Sequence, residues 1–166
     1  MTRRHLLAML SALGLAPKVA DAQTQTPAPA AAPTAPKLEA LRLSDAEWKK
    51  RLAPAQYDVL RREGTERAGS SALNDEHRKG RFHCAGCDLP LFGSEAKFDS
   101  GTGWPSFFAS LPGAVAVKTD YKLILPRTEY HCARCEGHQG HVFDDGPKPT
   151  GKRYCNNGVA LKFIAA

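Results

Sequence analysis

Hydrophobic and polar positions follow one another in three different ways along this chain, and each predicts a different element. From Leu6 to Ala16 the residues are apolar almost without a break, a stretch too short to span a bilayer. Ser44-Asp45-Ala46-Glu47 then forms a capping box, in which Ser44 accepts from the third helical N–H and Glu47 reaches back to the cap. A short helix therefore starts there and stops before Pro54. Pro54 suits the first turn of a second helix, running through Gln56, Tyr57, Val59 and Leu60 and ending near Gly64. From Arg81 onward the pattern shortens, and runs such as GRFHC, AVAVKTD, KLILP, EYHC and GVALKF stand between turn residues. The expected fold is mainly β, an antiparallel domain behind short N-terminal helices.

The first apolar run belongs to an export signal over residues 1–22. Arg3 and Arg4 supply its basic start, and Ala20-Asp21-Ala22 offers a small-x-small cleavage site. Thr2-Arg3-Arg4-His5-Leu6-Leu7 also resembles the twin-arginine motif, and Lys18 fits that route better than the general secretory one. An uncleaved amphipathic helix or anchor is the alternative. Residues 23–36 are rich in Pro, Ala and Thr, cannot bury a core, and read as a stiff, disordered tether. Residues 37–166 remain, enough for one domain and too few for two. The expected product is a periplasmic monomer with no stable membrane association after cleavage.

Charge narrows the function classes. The net charge of +6 falls to +4 without the signal, because Arg3, Arg4, Lys18 and Asp21 leave with it. Cations are interspersed with acids in LRLSDAEWKKRL and VLRREGTER, which describes a solvated surface and not a nucleic-acid footprint.

Four of the five cysteines form two knuckles, CAGC (Cys84, Cys87) and CARC (Cys132, Cys135). Each folds two thiolates toward one centre, and four thiolates suit one tetrahedral structural zinc with no open position for water. The knuckles are too far apart in the chain for a compact zinc ribbon, so the ion should clamp two distant hairpins. Export keeps a rival open, since oxidising compartments favour disulfides.

Cys155 is left over. If Arg153 to Phe163 is one strand, its alternate residues put Arg153, Cys155, Asn157, Val159, Leu161 and Phe163 on one face. A guanidinium beside a thiol favours the reactive thiolate, although a lone cysteine can also be simple core. His138 and His141 in EGHQGHVF could extend the metal site, stay in solvent, or give a proton to a group leaving Cys155. Trp104 is held in a Gly/Pro turn, SGTGWPSFF, as a lid on the core or as a wall for a methyl-bearing substrate.

Taken in order, CAGCDLPLF, KFDSGTGWPSFF, CARCEGHQGHVFDDGP and RYCNNGVALKF resemble the B-type peptide methionine-R-sulfoxide reductases, over about Leu43 to Ile164. The resemblance implies a β-tent of two antiparallel sheets, a zinc ion remote from the active site, and thiol-based reduction of methionine-R-sulfoxide in oxidised proteins. By the same resemblance Cys155 is the nucleophile, Trp104 packs on the substrate methyl, His138 and His141 are the active-site histidines, and Arg153 and Asn157 flank the thiol. Thr102 stands where many members carry a resolving cysteine, and Ala160 where serine is common. Regeneration should then need a thioredoxin-like reductant or a small thiol. A zinc-stabilised β-tent module that only binds a ligand or peptide is the alternative, and it leaves Cys155 idle.

Overall fold

In the computed structural model, which describes residues 38–166, the capping box opens helix α1 (Asp45–Arg51) as expected. Ser44 Oγ accepts from Glu47 N, and Glu47 Oε2 accepts from Ser44 N at 2.7 Å. Helix α2 (Pro54–Arg62) begins on its proline and ends at Glu63 in the left-handed conformation, φ 57°. The export signal and tether lie outside the described residues. Among the described residues no helix is long and apolar enough to cross a membrane.

Nine short strands follow: β1 (Gly80–Cys84), β2 (Pro90–Gly93), β3 (Lys97–Phe98), β4 (Ser106–Phe107), β5 (Val115–Asp120), β6 (Arg127–Cys132), β7 (His138–Phe143), β8 (Arg153–Asn156) and β9 (Leu161–Ala165). They form two antiparallel sheets, ordered β2-β1-β9 and β3-β4-β8-β7-β6-β5. Fully buried aromatic side chains join them. Phe92 of β2 stacks on Phe107 of β4 at 4.2 Å between ring centroids, and Phe82 of β1 meets the same ring edge-on at 4.9 Å. Each such ring stabilises the fold by about 1.5–3 kcal/mol through burial. The helices cover one end of this core with Trp48, Val59 and Leu60.

Two strand expectations need correction. The run from Arg153 to Phe163 is not one strand: β8 stops at Asn156, residues Gly158–Ala160 form a 3-10 turn, and the chain passes into the other sheet as β9. The Glu66 carboxylate draws Gly158 N and Val159 N away from any ladder, at 2.5 and 3.0 Å. The shared face within β8 is therefore only Arg153 and Cys155. KLILP, in turn, lies in the loop between β5 and β6. Asp120 Oδ1 accepts from Lys122 N and Pro126 has no N–H, so the segment leaves the ladder after Asp120 and rejoins it at Arg127.

Candidate active site and metal centre

The two Cys-x-x-Cys knuckles are built alike. Cys84 O accepts from Asp88 N and Cys132 O from Glu136 N, both at 2.9 Å. Asp88 and Glu136 take positive φ, 61° and 58°, to close these turns. The turns bring the four sulfurs within 4.8 Å of one another, all buried and none in a disulfide. Cys84–Cys135 and Cys87–Cys132 separations are 3.6 and 3.5 Å, against about 3.8 Å for thiolates on a tetrahedral ion with bonds near 2.3 Å. The donor set thus fits a four-thiolate metal ion, and the disulfide alternative finds no bonded pair. Arg51 Nε donates to Gly86 O, Arg61 Nη1 to Cys135 O and Arg134 Nη1 to Cys87 O, so side chains from three places tie the knuckle backbones down.

Cys155 stands on β8, between β4 and β7, with Ser106 as its partner on one side and His141 on the other. Directly opposed antiparallel residues point to the same face, so the thiol and the His141 imidazole emerge together. A side chain at Gly140 would place its Cβ 1.9 Å from Cys155 O, so glycine is required for this approach of β7 to β8. Cys155, His141, Trp104, Arg127, Phe143 and Asn157 line a cavity of about 140 Å³. That is the scale of a cavity that admits benzene, about 150 Å³.

His141 Nε2 lies 2.7 Å from Asp120 Oδ2. Asp120 also accepts from Lys122 N at 2.9 Å and Arg127 Nη2 at 2.7 Å. The Lys122 N–H, His141 and Arg127 hold this carboxyl well below the usual range, so it is ionised and the proton between the pair sits on His141 Nε2. Burial pushes the His141 imidazole below its ordinary value of 6.5, against the contrary pull of Asp120. His138 does not line the cavity. It is buried behind His141, ring centroids 5.5 Å apart, with Nδ1 on Glu129 Oε1 at 2.7 Å.

Arg153 is held by a two-point ion pair, Nε to Asp145 Oδ1 at 2.8 Å and Nη2 to Oδ2 at 2.7 Å, with its guanidinium over the Phe143 ring. It favours the Cys155 thiolate, as does the Thr102 hydroxyl. Burial works against both and leaves the thiol above its ordinary value, so Arg153 favours the thiolate, as expected, without fully offsetting burial. Asn157 is a brace as well as a lining residue: Oδ1 accepts from Glu66 N at 2.9 Å and Nδ2 donates to Gln139 O at 3.0 Å. Its second Nδ2 hydrogen has no such commitment. Trp104 Nε1 donates to Glu66 O at 3.1 Å, which fixes the indole at the cavity edge.

Four positioning residues escaped the sequence reading: Glu66, Asp120, Gln139 and Asp145. Glu66 meets Asn157 across 91 positions, and no local pattern signals that pairing. Asp120 meets His141 only because β5 and β7 flank β6.

Residues 52–165 match the SelR domain model. Over 143 residues the chain is 50% identical to peptide methionine sulfoxide reductase B1, chloroplastic, of Arabidopsis thaliana, covering 86% of this chain and 71% of that protein. It is 53% identical to the peptide methionine sulfoxide reductase MsrB of Thiobacillus denitrificans over 72% of this chain and 92% of that protein. With the MsrB of Agrobacterium fabrum the identity is 50%, over 78% and 95%. This chain belongs to the SelR-domain family, the peptide methionine sulfoxide reductases of the MsrB type.

Proposed function

We propose that the protein reduces methionine-R-sulfoxide residues in oxidised proteins to methionine, with Cys155 as nucleophile. The observation that carries the reading is the opposition of Cys155 and His141 across β8 and β7, inside a cavity of side-chain size walled by Trp104. The Cys155 thiol passes its proton to the His141 imidazole, the resulting thiolate attacks the sulfoxide sulfur, and the sulfoxide oxygen takes up that proton as charge grows on it. Oxygen passes to Cys155 as a sulfenic acid; the substrate sulfur gains two electrons and leaves as the thioether. His141 Nδ1 is the ring nitrogen free of Asp120 and is the route for that proton, while the uncommitted Nδ2 hydrogen of Asn157 supports the oxygen. Arg153 stabilises the attacking thiolate from its clamp on Asp145.

Zinc is the ion we assign to Cys84, Cys87, Cys132 and Cys135, with a structural role. The reductant is a thioredoxin-like domain or a small thiol, and the Arg3-Arg4 leader directs the protein to the periplasm as a monomer. The test is incubation with separate R and S epimers of a methionine-sulfoxide peptide and dithiothreitol. The R epimer should be consumed by the parent and not by Cys155→Ser. Equal turnover of both epimers, or by both proteins, would remove the reading, and an inert parent that binds the peptide would favour the binding module.

A further inference from the structure

The loop Tyr121–Pro126 carries the largest unexplained apolar surface among the described residues. Tyr121 is 75% exposed, Leu123 57%, Ile124 101% and Leu125 76%, in a stretch that also supplies no strand. Clustered exposure of this kind marks a contact surface, whereas single exposed apolar residues are ordinary. Leu123, Ile124 and Leu125 form one wall of a groove whose other wall is Val142 and Phe143 of β7, with a volume of about 700 Å³. That lies within the range of ligand-binding clefts, about 300–1,000 Å³.

The groove adjoins the catalytic cavity: Arg127 and Phe143 line both. The loop that walls it closes on Asp120 and Arg127, which are ion-paired, and Asp120 in turn holds His141. Whatever lies in the groove therefore lies next to the cavity that Cys155 lines. A second copy of the chain seated there would cover the cavity mouth and shut protein substrates out. A polypeptide threading its sulfoxide into the smaller cavity has, by contrast, to lay its neighbouring residues across this rim.

We propose that the Tyr121–Pro126 loop with Val142 and Phe143 is a docking groove for apolar residues flanking the oxidised methionine in an unfolded or locally opened polypeptide. The inference rests on the sulfoxide-reductase reading and deepens it: the preferred protein substrate is a methionine sulfoxide within an apolar sequence, such as a core segment exposed by oxidation. Its contribution is to affinity, since the groove touches the flanks and not the reacting atoms.

The experiment compares three R-sulfoxide substrates: a pentapeptide with Leu and Ile around the sulfoxide, the same peptide with Ser flanks, and N-acetyl-methionine sulfoxide amide. With the parent, kcat/KM for the apolar peptide should exceed that for the Ser peptide by about tenfold, the difference lying in KM. Ile124→Ser with Leu125→Ser, both at exposed positions, should erase that preference and leave N-acetyl-methionine sulfoxide amide turnover unchanged. Equal use of the two peptides by the parent, or a preference that survives the substitutions, overturns the groove. So does a concentration-dependent dimer that sedimentation shows in the parent and loses in the variant. If the parent reduces none of the three, the catalytic reading falls by itself. The groove is then judged by fluorescence anisotropy of the labelled apolar peptide on Cys155→Ser: binding lost with the loop substitutions supports it, and unchanged binding overturns it.

Discussion

Gln139 donates from Nε2 to Cys84 Sγ at 3.4 Å, and its Oε1 accepts from Asn156 Nδ2, also at 3.4 Å. One fully buried amide thus spans from a metal-centre sulfur to the residue following Cys155. The Asn156 side chain continues the chain of bonds, accepting from Tyr130 Oη at 2.7 Å and donating to Asn157 O at 2.8 Å.

Gln139→Leu removes the donor to Cys84 while keeping an apolar side chain of similar size. An outer hydrogen bond to a ligand is worth about 10–100-fold in metal affinity, so a chelator should strip the variant at correspondingly lower concentration. Stability should fall by about 1–3 kcal/mol, because Asn156 loses a buried partner. Competition for zinc with a colorimetric chelator reads the first effect and urea unfolding the second. Parent-like zinc retention would show that the 3.4 Å contact does not hold Cys84.

Acid should weaken the fold through Glu129 and Asp120. Burial raises the Glu129 carboxyl, but the His131 imidazole 3.6 Å away, the hydrogen bond from His138 and the charge of Lys118 outweigh it, leaving it well below its ordinary 4.5. Asp120 is likewise depressed below 3.8 by the Lys122 N–H, His141 and Arg127. As pH falls the unfolded chain takes up these protons first, so their contribution is complete above 4.5 and drains away below it. Glu129→Gln should be less stable than the parent at pH 7 and lose less between pH 5 and 3. Metal loss on acidification is common to both proteins, so the difference in urea midpoint reports Glu129. Parallel pH profiles would refute the assignment.

The helices, the knuckles and the leftover thiol were legible because each is written in local chemistry. Ser44 with Glu47, Pro54 as a helix start, and Cys-x-x-Cys depend on residues within one turn of one another. The end of β8 was not legible, since Gly158 and Val159 are held by Glu66 from 92 and 93 positions away. KLILP looked like a strand because its apolar composition suits one, and composition cannot register that Asp120 has diverted the backbone. The two histidines differ for the same reason. His141 is set opposite Cys155 by strand order, while His138 pairs with His131 across an irregularity in the β6–β7 ladder that no spacing rule reveals.

Alkylation of the free protein should show the balance of forces on Cys155. Because burial exceeds the help from Arg153 and Thr102, its iodoacetamide rate should climb with pH through a midpoint above that of an ordinary thiol. Arg153→Ala removes a charge that favours the thiolate, so it should move the midpoint further up and slow labelling at pH 8 by about threefold to tenfold. Zinc-bound thiolates must be shown intact by mass spectrometry in the same samples. A midpoint at or below that of free cysteine would contradict burial as the governing effect.

Regeneration should depend on Thr102. Its hydroxyl lies close enough to favour the Cys155 thiolate and accepts or donates to Ser100 Oγ at 2.8 Å, so it sits beside the site of the sulfenic acid without a sulfur to resolve it. The other four thiols are gathered in the metal centre. After one turnover without reductant the sulfenic acid should persist and be captured by dimedone on Cys155. An external thiol then attacks the Cys155 sulfur, water leaves with the sulfenic oxygen, and a second thiol releases the mixed disulfide. Thr102→Cys should divert this course: mass spectrometry should show loss of two hydrogens and no dimedone adduct, with a disulfide from position 102 to Cys155. A disulfide from Cys155 to any of Cys84, Cys87, Cys132 or Cys135 in the parent, formed at turnover rates with zinc release, would defeat the prediction. So would a Thr102→Cys protein that still accumulates the adduct, because the two side chains would then be too far apart for a bridge, which needs Cβ atoms about 3.5–4.5 Å apart.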